Sequence, residues 1–166
     1  MDKTFPQRKP IRLTQYDYSS AGAYFVTVCV KDRQPLLWTH VGAGITRPEN
    51  IPLSALGKTV DAAIGQINAH YPPVTVEKYC IMPDHIHLLL QFHAADGRQV
   101  AAPTLSTVVG QMKRWVSKTA AISCWQKSFI DRVIRSQQGY LAVWEYIHNN
   151  PLRLDSGDDL PELSQL

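Results

Sequence analysis

The stretch Met82-Pro83-Asp84-His85-Ile86-His87-Leu88-Leu89-Leu90 decides the fold of this 166-residue chain. Its Pro-Asp pair marks a turn, and the apolar run with two histidines that follows predicts a β-strand. Because side chains alternate between the two faces of a strand, the pattern separates a histidine face from an apolar face. The histidine face carries His85, His87, Leu89 and Gln91, and the apolar face carries Ile86, Leu88, Leu90 and Phe92. The apolar face is expected to belong to the core.

The two histidines are the candidate centre of a site. A rise of roughly 3.3 Å per residue separates their Cβ atoms by about 6.5–7 Å, a distance that one bound cation can bridge. The same pattern is also typical of two histidines on the surface of a sheet or at an interface. Asp84 could orient His85 as a carboxylate partner, or it could serve only to form the turn.

The composition predicts one domain. A chain of this length with 45% hydrophobic and 19% charged residues can bury one core. No apolar run reaches the length of a membrane span, and the N-terminus lacks the apolar core of a signal peptide, so we expect a cytoplasmic protein without a membrane partner. Three cysteines, odd in number and far apart, favour buried thiols over a disulfide framework or a structural zinc site.

Positive charge is concentrated in the body of the chain. All 17 Lys and Arg residues precede Asp155, so the body is more basic than the net charge of +3 indicates. A basic body suits a polyanionic partner such as nucleic acid. We expect a single domain in residues 1–154, with a basic N-terminal arm, and an acidic, solvated tail in residues 155–166.

Hydrophobic periodicity predicts seven elements, of which the last is an additional helix. In chain order they are a strand at 24–30, a helix at 54–70, strands at 74–81 and 85–92, a helix at 105–116, a strand at 128–135 and a helix at 139–150. The order β-α-β-β-α-β is typical of an α+β fold of the ferredoxin-like, split βαβ type, with a four-stranded antiparallel sheet. The histidine strand is expected to be central, with both crossover helices on its apolar face and the last helix on its histidine face.

Two basic segments are candidates for contact with nucleic acid. The N-terminal arm carries Arg8, Lys9 and Arg12 and is expected either to lie along phosphates or to remain in solvent. The second segment combines a basic helix face with tryptophans, which suits single-stranded nucleic acid. Its members are Lys113, Arg114, Lys118, Trp125, Lys127, Arg132 and Arg135. A solvated helix face with core tryptophans is the alternative.

The last predicted helix brings further polar groups to the site. Tyr146 and Asn150 are four residues apart and therefore lie one above the other on one helix face. If this face meets the histidines, a phenol and an amide oxygen lie beside two imidazoles. Two nitrogens and one oxygen occupy only part of the coordination sphere of a divalent cation, so positions remain open for a phosphate oxygen in phosphoryl transfer. Tyrosine is also a known covalent nucleophile. A core aromatic residue and a simple helix stop before Pro151 are the alternatives.

Several segments, taken in their order, resemble one family. They are Ile11-Arg12-Leu13, Tyr16-Asp17-Tyr18, Gly22-Ala23-Tyr24-Phe25-Val26-Thr27, His85-Ile86-His87, Trp125-Gln126-Lys127-Ser128-Phe129, Asp131-Arg132-Val133-Ile134-Arg135 and Tyr146-Ile147-His148-Asn149-Asn150-Pro151. Together they are similar to the REP-associated tyrosine transposases, a branch of the single-tyrosine HUH transposases. The resemblance covers residues 8–153.

The resemblance implies a role for each candidate residue. His85 and His87 match the metal-binding pair of the family, Asn150 matches the position of the third ligand, and Tyr146 matches the nucleophile. It further implies a magnesium or manganese ion, a 5′-phosphotyrosine intermediate, and recognition of single-stranded DNA with the imperfect hairpins of repetitive extragenic palindromes. A protein of this kind is expected at the nucleoid, as a monomer or a homodimer.

Three functions remain open from the sequence. The first is a metal-dependent endonuclease and strand transferase acting on single-stranded DNA. The second is a regulatory protein that binds DNA hairpins with weak or no catalytic activity. The third is a hydrolytic metalloenzyme that acts on a small phosphoester.

Overall fold

The computed structural model describes residues 21–41, 50–94 and 102–153. Four strands and four α-helices follow in the order β1, α1, α2, β2, β3, α3, β4, α4. Their bounds are β1 Gly22–Cys29, α1 Ala55–Gly65, α2 Ile67–His70, β2 Val74–Ile81, β3 His85–Phe92, α3 Leu105–Ala120, β4 Ile130–Ile134 and α4 Gln137–Asn149, with 3-10 turns at Lys31–Arg33 and Asn150–Arg153. The basic N-terminal arm and the acidic tail that the sequence predicts lie outside the described residues.

The strands form one antiparallel sheet in the spatial order β2-β3-β1-β4. The α+β class and the four-stranded antiparallel sheet are therefore confirmed. The histidine strand β3 is central, as predicted, because it pairs with β2 on one side and β1 on the other. Every residue of β1 from Ala23 onward is buried, which confirms a strand covered on both faces.

The apolar face of the sheet packs under α1, α2 and α3. Ile86, Leu88 and Leu90 of β3 are fully buried there, and each such side chain contributes roughly 1.5–3 kcal/mol by leaving water. The phenol of Tyr79 on β2 donates to Asp61 of α1 over 2.7 Å, which ties this helix to the strand.

Helix α4 covers the opposite face, which carries His85 and His87 and is called the His face below. The hydroxyl of Tyr140 donates to Glu77 on β2 over 3.2 Å. The ammonium of Lys78, also on β2, lies 4.4 Å from the centre of the Trp144 ring. The predicted placement of the last helix on the His face is thus confirmed.

Several element bounds differ from the prediction. The helix expected at 54–70 is divided at Gln66, whose N–H bonds to the carbonyls of Ala63 and Ile64 and so tightens the last turn of α1. Helix α4 begins two residues earlier than predicted, because the side chain of Ser136 caps it by accepting a bond from Gly139 N. The last strand is shorter than predicted, at Ile130–Ile134.

The segment after β1 runs along the turn between β2 and β3. Val30 N donates to the carbonyl of Asp84 over 2.8 Å, so the two segments are joined through their backbones. Within the following 3-10 turn, Asp32 and Arg33 both adopt φ 55°. Such left-handed conformations cost roughly 1–2 kcal/mol for each residue other than glycine. They persist where surrounding contacts fix the chain, often near functional sites.

Two predictions from composition can be compared with the structure. Cys29, Cys80 and Cys124 all lie in the described ranges and are buried thiols rather than disulfides, as expected. Within those same ranges, every helix is too short or too polar to cross a bilayer.

Candidate active site

The two histidines lie side by side at the start of β3. Both are buried, each with 3% of its surface exposed. Their rings point to the same face of the sheet, and the Nε2 atom of His85 lies 3.1 Å from the Nε2 atom of His87. The pleat of one central strand therefore holds two imidazole nitrogens at a separation that one cation can bridge.

Each imidazole is oriented by a neighbour at its other nitrogen. The Nδ1 atom of His85 lies 2.6 Å from a carboxylate oxygen of Asp84, and the Nδ1 atom of His87 lies 2.9 Å from the hydroxyl of Thr27 on β1. Phe25 stacks on the His87 ring with the centroids 5.2 Å apart. Partners of this kind fix the orientation of ligand histidines in metal sites. Asp84 therefore combines both roles considered from the sequence, since it lies in the turn and also bonds His85.

The electrostatic environment of the pair favours a neutral imidazole at His87. Its pKa lies well below the usual value for histidine because burial disfavours the charged form, and His85 and Arg33 add repulsion. Burial alone would raise the pKa of Asp84, but the bond to His85 and the charge of Arg33 lower it below its usual value. A neutral imidazole is the state in which histidine binds metal ions, and burial favours this state at His87.

Helix α4 brings Tyr146 to the histidine pair. This tyrosine is 6% exposed, and its ring centroid lies 5.4 Å from that of His87. The rings of Phe25 and Tyr146 are nearly perpendicular, with their centroids 5.9 Å apart. The aromatic ring of Tyr146 therefore lies beside one of the two imidazoles, that of His87.

Asn150 follows Tyr146 by one helical turn. Its backbone remains helical, with φ −56° and ψ −44°, although Pro151 follows it. The residue is 1% exposed, and within the described part of the chain neither polar atom of its side chain has a hydrogen-bond partner. A buried amide without partners costs roughly 1–3 kcal/mol, so this side chain is suited to a ligand that would satisfy it.

The chemistry of these donors suits a divalent cation. Two imidazole nitrogens face each other, and the amide oxygen of Asn150 is buried without a partner. Within the described ranges, no three or more His, Cys, Asp or Glu side chains are grouped to hold a metal ion. A ligand set of two histidines and one asparagine would leave further positions of a divalent cation for a substrate oxygen.

An open pocket of about 350 Å³ lies beside His85, the first histidine of the pair. Its walls include Arg33, Met82, Pro83, Asp84 and His85. His85 is thus the histidine of the pair that borders this pocket.

Among the described residues, most of the predicted DNA-binding side chains are exposed. Arg114, Lys118, Lys127 and Arg135 are exposed, and Arg132 is partly exposed on β4, where it pairs with Phe25 of the site. Arg8, Lys9 and Arg12 lie outside the described residues. That these side chains contact DNA stays a prediction.

Two residues of the basic segment have roles inside the protein. The ammonium of Lys113 donates to the carbonyls of Gln126, Lys127 and Ser128, at 2.7, 3.3 and 3.3 Å. Burial lowers its pKa. Trp125 is a core residue, and its backbone forms a bridge with Val30 after β1. Lys113 thereby ties residues 126–128 to α3, and Trp125 joins the same connection to the chain just after β1.

Sequence reasoning missed three residues of the site, namely Phe25, Thr27 and Arg33. Thr27 had a detectable signal, because it is the one serine or threonine within the apolar run of β1. Arg33, whose Nε atom lies 2.8 Å from the second carboxylate oxygen of Asp84, had none, because only the turn after β1 brings it there.

Comparison with known proteins gives relatives over most of the chain. No family model matches. An uncharacterized protein of Haemophilus influenzae is 30% identical over 165 residues, which covers 87% of this chain and 88% of that protein. A second protein of the same organism, named "Putative REP-associated tyrosine transposase", is 27% identical over 146 residues, which covers 82% of this chain and 74% of that protein.

A solved structure shares the fold. It is that of a REP-associated tyrosine transposase bound to a REP hairpin, with a TM-score of 0.63 and 19% identity, covering 86% of this chain and 73% of that chain. The sheet and the site thus define an α+β protein in which the helix that carries Tyr146 packs on a histidine pair of a central strand. The chain belongs to one family with the first Haemophilus relative, and its resemblance to the REP-associated tyrosine transposases is confirmed.

Proposed function

We propose that this protein is a metal-dependent endonuclease and strand transferase that recognises REP-type hairpins in single-stranded DNA. The observation that carries the proposal is the contact between Tyr146 and His87, whose Nε2 atom lies 3.1 Å from that of His85. A relative named as a REP-associated tyrosine transposase and a solved structure of such a protein with a REP hairpin support the choice of substrate. The expected place of action is the nucleoid.

In the proposed reaction, the hydroxyl oxygen of Tyr146 attacks a phosphorus atom of the DNA backbone. A bond forms between this oxygen and phosphorus, the bond from phosphorus to the 3′ oxygen breaks, and the 5′ end stays attached to the protein as a phosphotyrosine. The phenol gives up its proton, and the 3′ oxygen leaves as a hydroxyl. Because a phosphodiester is exchanged for another, attack by a second 3′ hydroxyl rejoins the strand by the reverse step.

His85, His87 and Asn150 are the residues that would hold the cation. A bound magnesium or manganese ion supplies Lewis-acid stabilisation of the charge that develops on the phosphate oxygens. The bonds from Asp84 and Thr27 hold both rings with their Nε2 atoms toward the site. Phe25 and Tyr146 cover the His87 ring and keep bulk water from it.

Covalent capture of an oligonucleotide tests this function. The probe is a single strand with one hairpin and single-stranded flanks, labelled at its 3′ end, because the proposed cut leaves the 3′ part of the DNA on the protein. With manganese or magnesium, we expect the label to migrate with the denatured protein, and we expect EDTA to abolish this. The same strand without the hairpin is the matched control. Hairpin binding without cleavage under any divalent ion would favour the regulatory alternative, and turnover of a small phosphoester without DNA affinity would favour the hydrolytic one.

The salt dependence of binding tests the basic surface. Replacement of exposed Arg114 or Arg135 by alanine is expected to weaken hairpin binding. Each lost phosphate contact should flatten the plot of log K against log salt by about 0.7 for a single strand or 0.9 for a duplex. Lys58→Ala, which removes an exposed lysine of α1, is the control and should leave the slope unchanged. Identical slopes for all variants would exclude these arginines from the DNA interface.

A further inference from the structure

The guanidinium of Arg33 connects the end of β1 to the turn that precedes β3. Its Nε atom lies 2.8 Å from Oδ2 of Asp84, and its Nη1 atom donates to Sγ of Cys29 over 3.1 Å. Cys29 is the residue of β1 that pairs with His85. One side chain thus contacts both segments that adjoin the first histidine.

Asp84 is held on both sides. While Oδ2 receives the guanidinium, Oδ1 lies 2.6 Å from Nδ1 of His85. Val30 N donates to the backbone carbonyl of Asp84, so the backbone and the side chain of this aspartate are both fixed. A carboxylate with both oxygens engaged cannot rotate freely, and the imidazole that it bonds is fixed with it.

The left-handed backbone of Arg33 favours a role in function over a role in stability. Arg33 and its neighbour Asp32 are both left-handed, a conformation that favours glycine. Almost half of the Arg33 side chain is exposed, at 47%, and exposed ion pairs add little to stability. A strained residue that contributes little to the fold is typical of positions retained for function.

We infer that Arg33 is a positioning residue, which fixes Asp84 and through it directs Nε2 of His85 toward the cation. The inference rests on the proposed function, since it assigns Arg33 a role in the same metal site. It requires that loss of the guanidinium weaken metal binding even where the fold is unharmed.

The variant Arg33→Gly separates a role of Arg33 in metal binding from a role in stability. Glycine removes the guanidinium and relaxes the left-handed backbone, so we expect a melting temperature no lower than that of the parent. Manganese affinity, measured without DNA by calorimetry or electron paramagnetic resonance, should fall by about tenfold, at the lower end of the range for residues that orient a ligand. Arg33→Lys should be intermediate, because an ammonium can bond Asp84 but cannot reproduce the planar contact with both partners. Lys31→Ala, which removes an exposed cation of the same turn, is the matched control and should bind manganese like the parent.

A double-mutant cycle tests whether Arg33 acts through Asp84. If it does, the variant with both Arg33→Gly and Asp84→Ala should bind manganese as Asp84→Ala does alone. In the metal-free protein, the Nδ1 proton of His85 should give a slowly exchanging NMR signal that broadens in Arg33→Gly and is unchanged in Lys31→Ala.

Three outcomes would overturn the inference. Arg33→Gly could bind manganese like the parent, or the losses of the two single variants could multiply in the double variant. In either case, a parent that binds manganese and captures DNA would leave the proposed function intact. A parent that binds no manganese and captures no DNA would overturn the proposed function together with the inference.

Discussion

Tyr146→Phe is expected to abolish both cleavage of the hairpin oligonucleotide and covalent capture. The change removes only the hydroxyl that attacks phosphorus, and loss of a nucleophile typically lowers turnover by roughly 10⁴-fold or more. Because the phenyl ring is kept, the contacts with Phe25 and His87 remain, and the affinity for the uncut hairpin should change by less than about twofold. Cleavage is measured on a sequencing gel, and capture on a denaturing protein gel.

Tyr140→Phe is the matched control for this experiment. Tyr140 lies on the same helix, but its hydroxyl donates to Glu77 on the edge strand and not to the site. We expect this variant to cut and capture DNA like the parent. If Tyr146→Phe also cut like the parent, another group would be the nucleophile.

His87→Gln is expected to remove metal binding. Even a residue that only orients a ligand contributes about 10–100-fold to metal affinity, so the loss of a ligand nitrogen should weaken manganese binding by more than about 100-fold. Cleavage should fall with it, because the charge on the phosphate oxygens is then no longer stabilised. Calorimetry of the DNA-free protein measures the first effect, and the capture assay measures the second.

His93→Gln is the control for the second prediction. His93 follows β3 directly, but it is exposed, and its Nε2 atom bonds the hydroxyl of Thr75 over 2.9 Å. This variant should keep both metal binding and cleavage. Equal manganese affinity in His87→Gln and the parent would show that the histidine pair is not the metal site.

The sheet and the histidine pair could be predicted because they depend on local periodicity. Alternation in β3 places His85 and His87 on the face opposite Ile86 and Leu88, and helical spacing in α4 aligns Tyr146 with Asn150. That α4 covers the His face followed from the order of elements, since no other predicted element remained for that face.

The partners of the pair could not be predicted, because they come from distant parts of the chain. Thr27 reaches His87 across 60 residues, through the register of β1 against β3. Arg33 reaches Asp84 through a left-handed turn that contains no glycine, and arginine itself has no preference for this conformation. Both contacts are products of the tertiary structure, which periodicity along the chain does not describe.

The basic helix face shows a different limit of sequence reasoning. Charge pattern places Lys113 among the side chains available to phosphates, yet three backbone carbonyls of the segment 126–128 surround its ammonium. The carbonyls belong to a connection without regular structure, which no pattern of apolar residues predicts. A lysine on a polar helix face can thus bond within the protein rather than to a ligand, and only the three-dimensional structure shows this.

The spacing of the histidine motif has a consequence for how its length can vary. One intervening residue separates His85 from His87 on a strand that is bonded on both sides. An insertion of a single codon between them would turn the second imidazole into the layer beneath α1 and α3, where Ile86 and Leu88 are fully buried. Such a change would damage the hydrophobic interior and separate the ligands in one step. The motif therefore tolerates exchange of its middle residue for another apolar one far better than any alteration of its length.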